Sequence, residues 1–465
     1  MTQGDGYDRR RFLKTAAATG IGLSLGAREL GARGPDSGGS GPPAGLDLGS
    51  SPGPDLFRAP PLDVVRVGFV GVGHQGTGHV RNFLEIENVE IRAICDVVPE
   101  KVERARRIVA EEAGHPEPAA YSDGPYDFRR MCEEEELDLV FTATPWEWHA
   151  PVCVAAMENG KHAATEVPMA VTVDECWQLV ETAERTGRHC VMMENCCYDR
   201  AEMMILNMVR QGLFGEPVHA ECGYLHDLRR LKLTDFYEGR WRVRHSMLRN
   251  GDLYPTHGLG PVAQWLNVNR GNRFDYIVSI ASKTRGLNRW AAEHIGPESP
   301  AARREYALGD VVNTFIRTVG GETILITHDT NSPRPYSRRI LFQGTKGVVR
   351  KYPEPRIHIE GRSPEHAWED LEAYREEFEH PVWRALEERS RGAGHGGMDF
   401  IEDYRLVQCL LEGSPTDYDV YDGAVWSAVA ELSERSIEGG SRPVDFPDFT
   451  RGAWRRRPPL GIVTV

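Results

Sequence analysis

The hydrophobic pattern changes character twice along the chain. From residue 64 it reads VVRVGFV, a continuous β-branched apolar run of the kind a buried parallel strand shows. The next stretch, HQGTGHVRNFL, puts Val80, Phe83 and Leu84 on one helical face, and Val89–Cys95 returns to strand pattern. The alternation continues with a strand over 139–144, a helix from Ala150 to Met157 and a short strand from His162 to Thr165. A helix then begins near Thr172 with Asp174 as its cap, and Val191–Met193 reads as a further strand. Strand–helix alternation of this kind predicts a doubly wound parallel sheet. Beyond residue 197 the pattern alters. One helix, Arg200–Gln211, precedes strands predicted over 217–226, 275–283, 311–319, 322–329, 337–343, 347–351 and 355–360. Gly320-Gly321 is a hairpin signal between two of them, and helices are predicted over 259–267, 401–412 and 424–436. The fold class expected is α/β, with the parallel sheet first and then an α+β domain carrying a large, open, mainly antiparallel sheet.

The first residues lack either pattern. Arg9-Arg10-Arg11-Phe12-Leu13-Lys14 precedes the weakly apolar TAAATGIGLSLGA, which reads as a twin-arginine (Tat) export signal over 1–34. A Gly-, Pro- and Ser-rich linker follows over 35–62. The expected domains are 63–196 and 197–465, and the expected destination is the periplasm or the medium. No apolar run reaches the ~18 residues of a membrane span. Charge is acidic, with 55 Lys and Arg against 69 Asp and Glu. Without a basic stripe, that disfavours a nucleic-acid partner. The nine cysteines have no metal-site spacing and sit in apolar stretches, so buried thiols and no metal centre are expected.

Gly71, Gly73 and Gly76 form a G-x-G-x-x-G between the first strand and the first helix. The second strand ends in Asp96, about 20 residues beyond Gly76. That order marks a Rossmann dinucleotide site. Gly71 allows the turn, Gly73 admits the pyrophosphate, and Gly76 permits close helix packing, while Asp96 takes the ribose hydroxyls and repels a 2′-phosphate. NAD is therefore the expected cofactor. Trp146–His149, Glu166-Val167 and Asn195 follow later strands and should line the same crevice. Polar–aromatic loops in the second half include 223–226, 240–242, 252–258, 330–336 and 394–399. Facing a nicotinamide, such loops suit a sugar.

Several motifs together, GVGHQG at 71–76, TATPWEWHAP at 142–151, TEVP at 165–168, MMEN at 192–195, NGDLYPTHGLGP at 250–261 and GHGGMDF at 394–400, resemble the Gfo/Idh/MocA oxidoreductase superfamily. Within it they resemble glycoside hydrolase family 109, NAD-dependent α-N-acetylgalactosaminidases. The resemblance implies transient oxidation at sugar carbon 3, loss of the carbon-2 proton, elimination of the aglycone, addition of water and re-reduction. It places His74, Gln75, Asp96, Trp146, Glu147, Trp148, His149, Glu166, Val167 and Asn195 on NAD, with His257 also near the nicotinamide. It places Tyr224, Arg242, Tyr254 and Tyr336 on the sugar. His257 is the expected base for the carbon-3 hydroxyl, because imidazole titrates near neutrality. Tyr336 or Tyr198 is expected as the carbon-2 base, with Tyr254 alongside. Where most of the superfamily has Glu-Lys-Pro, this chain has Glu166-Val167-Pro168. A valine cannot handle a substrate hydroxyl, which counts against the runner-up, an exported NAD(P)-dependent sugar oxidoreductase. The superfamily's exposed sheet faces also point to a homodimer.

Overall fold

The computed structural model describes residues 59–460 and 462. The expected export signal and nearly all of the linker lie outside the described residues.

Six strands form the first sheet: β1 Val65–Val70, β2 Val89–Cys95, β3 Ala119–Tyr121, β4 Leu139–Thr142, β5 His162–Thr165 and β6 Cys190–Met192. Their order is β3-β2-β1-β4-β5-β6, and every neighbouring pair is parallel. The order reverses between β1 and β4, so a crevice opens at the carboxyl ends of those strands. The central runs are mostly apolar and buried because helices cover both faces.

The second sheet has nine strands: β7 Pro217–Leu225, β8 Phe274–Ala281, β9 Val312–Thr318, β10 Thr323–Asp329, β11 Leu341–Gly344, β12 Gly347–Arg350, β13 Arg356–Ile359, β14 Glu369–Asp370 and β15 Val444–Asp445. Their order is β14-β13-β12-β11-β7-β10-β9-β8-β15. Only β7 with β10 is parallel; the other pairs are antiparallel. Helices Thr256–Trp265 and Val420–Glu438 pack on this sheet, and the second of them also packs on helix Val173–Thr186. Helix Met398–Glu412 lies against helix His74–Leu84. C-terminal residues therefore cross back over the boundary near residue 196 and share one core with the parallel sheet.

Two glycines set the depth of helix Thr256–Trp265. A Cβ on Gly258 would lie 2.4 Å from the Gly223 backbone nitrogen in β7, and one on Gly260 would meet Cys197 Sγ and Glu194 Cγ at 3.0 Å. The missing side chains let one helix touch both sheets' loops, which brings His257 beside Tyr224 and Glu194.

Some local expectations are corrected. Thr172, not Asp174, caps helix Val173–Thr186: its hydroxyl accepts from Glu175 N, while the Glu175 carboxylate reaches back to the Thr172 N–H. The helix expected from 259 begins at Thr256, so His257 lies in its first turn. Trp241 and Arg242, read as loop, open helix Trp241–Leu248. β11 begins at Leu341, because Ser337 makes only an isolated bridge and Arg338 turns inward to buried carboxylates. All nine cysteines are buried and free.

Gly258→Ala should force the helix off β7. A cost of about 1–3 kcal/mol is expected for such overpacking. Thermal melting should show the loss, and the displaced His257 should lower turnover further.

Candidate active site

A cleft of about 930 Å³ opens at the switch point. Gly71, Gly73, His74, Gln75, Asp96, Trp146, Trp148, His149, Glu166, Val167 and Asn195 all line it. Gly71 holds φ +83° and donates its N–H to Cys95 O. A Cβ on Gly76 would strike Gly71 O at 2.0 Å, so Gly76 acts behind the loop. Gly73 caps helix His74–Leu84 without any side-chain bond, and no acid lies in the first turn. The first amides of that helix thus face the cleft free, as a pyrophosphate requires. Asp96 accepts from the Val72 and Val98 amides at 2.9 Å each, which fixes its carboxylate at the end of β2. These residues fit a dinucleotide. Glu238 also hangs over Gly73, its charge offset by Lys101 at 2.7 Å.

Not every expected cofactor residue faces the cleft. Glu147 turns toward His245, 3.6 Å away. His149 bridges the Pro168 and Thr144 carbonyls at 2.7 and 2.8 Å, tying two cleft loops together. Trp146 and Trp148 diverge. Trp148 meets Tyr126 and Phe128 edge to face, while Trp146 meets Trp241, His245 and Tyr254.

The floor of the cleft is held by charge. His79, buried, places its two ring nitrogens 2.9 Å from Asp403 and from Glu166. Burial opposes a charged ring, yet the two carboxylates raise its pKa well above the ordinary imidazole value. The protonated His79 in turn holds Glu166 below the usual carboxylate range, against burial. Beside it, Asn195 Nδ2 donates to Asp399 Oδ1 at 2.7 Å, and His395 Nδ1 pairs with Asp399 Oδ2 at 2.7 Å. This brings the GHGGMDF motif against Asn195. His79, Asp399 and His395 are missed by sequence reasoning, although the last two lie in a motif it singles out.

The other end is an aromatic cage around His257. Its ring centroid lies 4.9 Å from Tyr254 and 5.5 Å from Tyr224, and those two tyrosines are 4.5 Å apart. His257 Nδ1 meets Glu194 Oε1 at 2.7 Å, and Glu194 is fully buried. The carboxylate accepts, so Nδ1 carries a hydrogen and Nε2 is the ring nitrogen not engaged by Glu194. Glu194 is another residue the sequence does not single out; it immediately precedes Asn195 in MMEN. Arg242 lines the cage without a carboxylate partner among the described residues. Burial pushes the Tyr224 and Tyr254 phenols up, and Arg242 pulls both down.

Tyr336 sits at the rim, 40% exposed, with its ring 5.1 Å from His226 and 6.2 Å from Tyr224. Tyr198 is elsewhere. It is buried, donates to Asp417 Oδ2 at 3.0 Å, and does not line the cleft. The expectation that it serves as a base is therefore set aside: its phenol has no path to a substrate. Glu194, Cys196 and His257 bring potential metal-ligand atoms within 4.8 Å of one another, but the Arg338 guanidinium already lies 2.7 Å from Cys196 Sγ. That cation opposes a second one.

A family described as "Glycosyl hydrolase 109, C-terminal domain" matches residues 198–456, and one described as "Oxidoreductase family, NAD-binding Rossmann fold" matches 65–194. A "Glycosyl hydrolase family 109 protein" of Shewanella pealeana is 45% identical over 463 residues, 98% of this chain and 99% of that one. The chain belongs to glycosyl hydrolase family 109. A second family 109 relative, from Shewanella oneidensis and named alpha-N-acetylgalactosaminidase, is 45% identical over 461 residues, 98% of each chain. Solved structures share the fold at lower identity. Levoglucosan dehydrogenase with NADH and levoglucosan superposes with TM-score 0.64 at 21% identity, over 83% of this chain and 100% of that one. An inositol dehydrogenase homolog from Azotobacter vinelandii, with NAD+, gives 0.62 at 19%, over 83% and 98%. The chain is thus a glycoside hydrolase built on an NAD-binding Rossmann fold. Among the described residues no helix is long and apolar enough to cross a membrane.

The loop leading to His257 carries a charge-sensitive residue. Asp252 is fully buried, with no cation in ion-pair range among the described residues. Burial raises its pKa to about 7, the Tyr254 amide opposing. The fold prefers the protonated acid, so its contribution is full below about pH 4 and is lost as pH rises through about 7. Asp252→Asn should melt a few degrees above the wild type near pH 8 and close to it near pH 4.5, which scanning calorimetry at the two pH values checks.

Proposed function

We propose that this enzyme hydrolyses glycosides of α-linked N-acetylgalactosamine, using an NAD that stays bound through turnover. The observation carrying this reading is the His257–Glu194 pair set among Tyr224, Tyr254 and Arg242, at the far end of the dinucleotide cleft. The shared name of the Shewanella oneidensis relative supports the sugar. NAD, when bound, supplies a hydride acceptor for sugar carbon 3 and a donor that restores it. Gly71, Gly73, His74, Gln75 and Asp96 would hold its pyrophosphate and ribose, and Glu166, Val167 and Asn195 its nicotinamide end.

The chain's own residues move the protons. With Nδ1–H donated to Glu194, His257 Nε2 takes the proton of the carbon-3 hydroxyl. A ketone at carbon 3 acidifies the carbon-2 hydrogen. With Tyr198 set aside, Tyr254 and Tyr336 are the remaining phenols; Tyr254 lies closer to His257, and as its phenolate it would take the carbon-2 hydrogen and return it when water adds at carbon 1. Departure of the aglycone and addition of water at carbon 1 follow, and His257 returns its proton at the end. Val167 is buried and apolar where a plain dehydrogenase of this fold would use a lysine, so the sugar oxidoreductase reading ranks second. Export is proposed on the N-terminal sequence alone. A homodimer is proposed on the open sheet face, where Phe315 and Ile280 stand exposed.

The test is release of p-nitrophenol from its α-N-acetylgalactosaminide before and after nucleotide stripping. Release should vanish on stripping and return with NAD; no release by NAD-loaded protein rejects this substrate. His257→Ala should lose more than ~100-fold in rate with NAD still bound. Glu194→Gln should lose about ten- to a hundredfold in kcat, with little change in NAD content. Near-wild-type rates in either variant would remove the pair from the mechanism.

A further inference from the structure

Behind the cage lies a recess of about 30 Å³ that shares Trp146, Tyr224, Leu228, Arg242 and Tyr254 with the lining of the cleft. Its lining is unusual. Lys232, Arg242, His245 and His328 all face it, and no Asp or Glu does. Lys232 is 4% exposed. It donates to Thr330 Oγ1 at 2.7 Å and to Asn331 Oδ1 at 2.9 Å, and it has no carboxylate in ion-pair range among the described residues. When protonated, the amine carries three hydrogens, and the third has no acceptor among the described residues. His328 is 2% exposed and its Nδ1 has no partner. Leaving such groups buried and unmatched is costly unless something completes them. The remaining wall is apolar, made by Leu228, Leu253 and Leu308.

An occupant must therefore offer an acceptor to Lys232 and an apolar face to the leucines. It must also be small, on the order of three heavy atoms beyond the cleft. A hydroxyl has no apolar face, and a sugar ring is too large. We propose that this recess receives the carbon-2 acetamido group of the sugar, with Lys232 donating to its carbonyl oxygen and the three leucines covering its methyl. Lys232 thus becomes a specificity-determining residue, and Ser246, buried in the same wall, marks how far the methyl reaches. This deepens the sugar reading above and rests on it. Burial also lowers the Lys232 pKa to about 7, as a site that meets a neutral acceptor tolerates.

Two readouts test it on the NAD-loaded full chain, with wild type, Lys232→Met and Ser246→Leu. The first is kcat/KM for the p-nitrophenyl α-glycosides of N-acetylgalactosamine and of galactose. The wild type should prefer the acetamido sugar by at least ~100-fold. Lys232→Met should lose about tenfold or more of that preference, mainly through KM. Ser246→Leu, which fills the recess, should lose it too. The second is saturation-transfer NMR with free N-acetylgalactosamine. The acetyl methyl should saturate strongly in the wild type and weakly in both variants. A preference and a methyl signal that are unchanged in both variants, with NAD content intact, would overturn the proposal. Absence of methyl saturation in the wild type would overturn it as well. No p-nitrophenol release by the wild type, with a methyl signal that both variants lose, would sink the glycosidase reading and leave the recess standing.

Discussion

One hydrogen bond ties the molecule's two halves together at the place where chemistry is needed. Glu194 comes from the segment just after β6, the last strand of the parallel sheet. His257 comes from the first turn of the helix laid on the second sheet. Their 2.7 Å contact is fully buried on the carboxylate side, so its geometry depends on everything that positions the two segments. Gly258 and Gly260 let the helix descend far enough. On the other side, Arg338 pairs with Asp199 and Glu202, and Lys351 joins them at 2.7 Å. That cluster anchors the chain immediately after Glu194. Burying such groups costs free energy, and only a complete set of partners offsets it.

A similar logic governs the cofactor side. A neutral histidine in the place of charged His79 could donate to Asp403 or to Glu166, but not to both. With both nitrogens donating, helix His74–Leu84, helix Met398–Glu412 and the Glu166 turn are locked to one another. The helix that presents free amides to the phosphates is therefore held by an ion from beneath, while its first turn stays uncluttered. Binding surface and supporting charge sit on one helix, the free amides in its first turn and His79 near its middle.

The parallel sheet was legible where its strands are mostly buried, as in β1 and β4, and where its glycine loop has a strict geometric job, whereas the short, partly exposed β3 gave no such pattern. Asp96 and Trp146 could be placed from sequence, since they follow strands whose carboxyl ends converge. Tyr198 could not. It is adjacent in sequence to a cleft segment, yet a single short helical turn, Asn195–Tyr198, rotates it away to Asp417. Glu194 and His79 were hidden for a different reason. Each acts through a residue distant in the chain, 63 positions for Glu194 with His257 and 324 for His79 with Asp403. No local spacing reports such a pairing. Arg242 was read on a loop because Arg and Trp alternate with no apolar stripe; its helix is only eight residues long and has just one buried residue.

The distribution of positive charge explains why the two ends of the cleft can differ in chemistry. At the dinucleotide end the positive character comes from backbone amides, with Lys101 already committed to Glu238. At the aromatic cage it comes from Arg242, with Lys232 beside it, neither of which has an ion pair among the described residues. Fixed amides suit a dinucleotide's phosphates. Unpaired side-chain cations, by contrast, keep an unmet demand that a ligand with the right acceptors can satisfy. The missing lysine at Val167 fits this arrangement. The cleft keeps a buried apolar side chain at Val167, while Arg242 and Lys232 line the recess beside the aromatic cage.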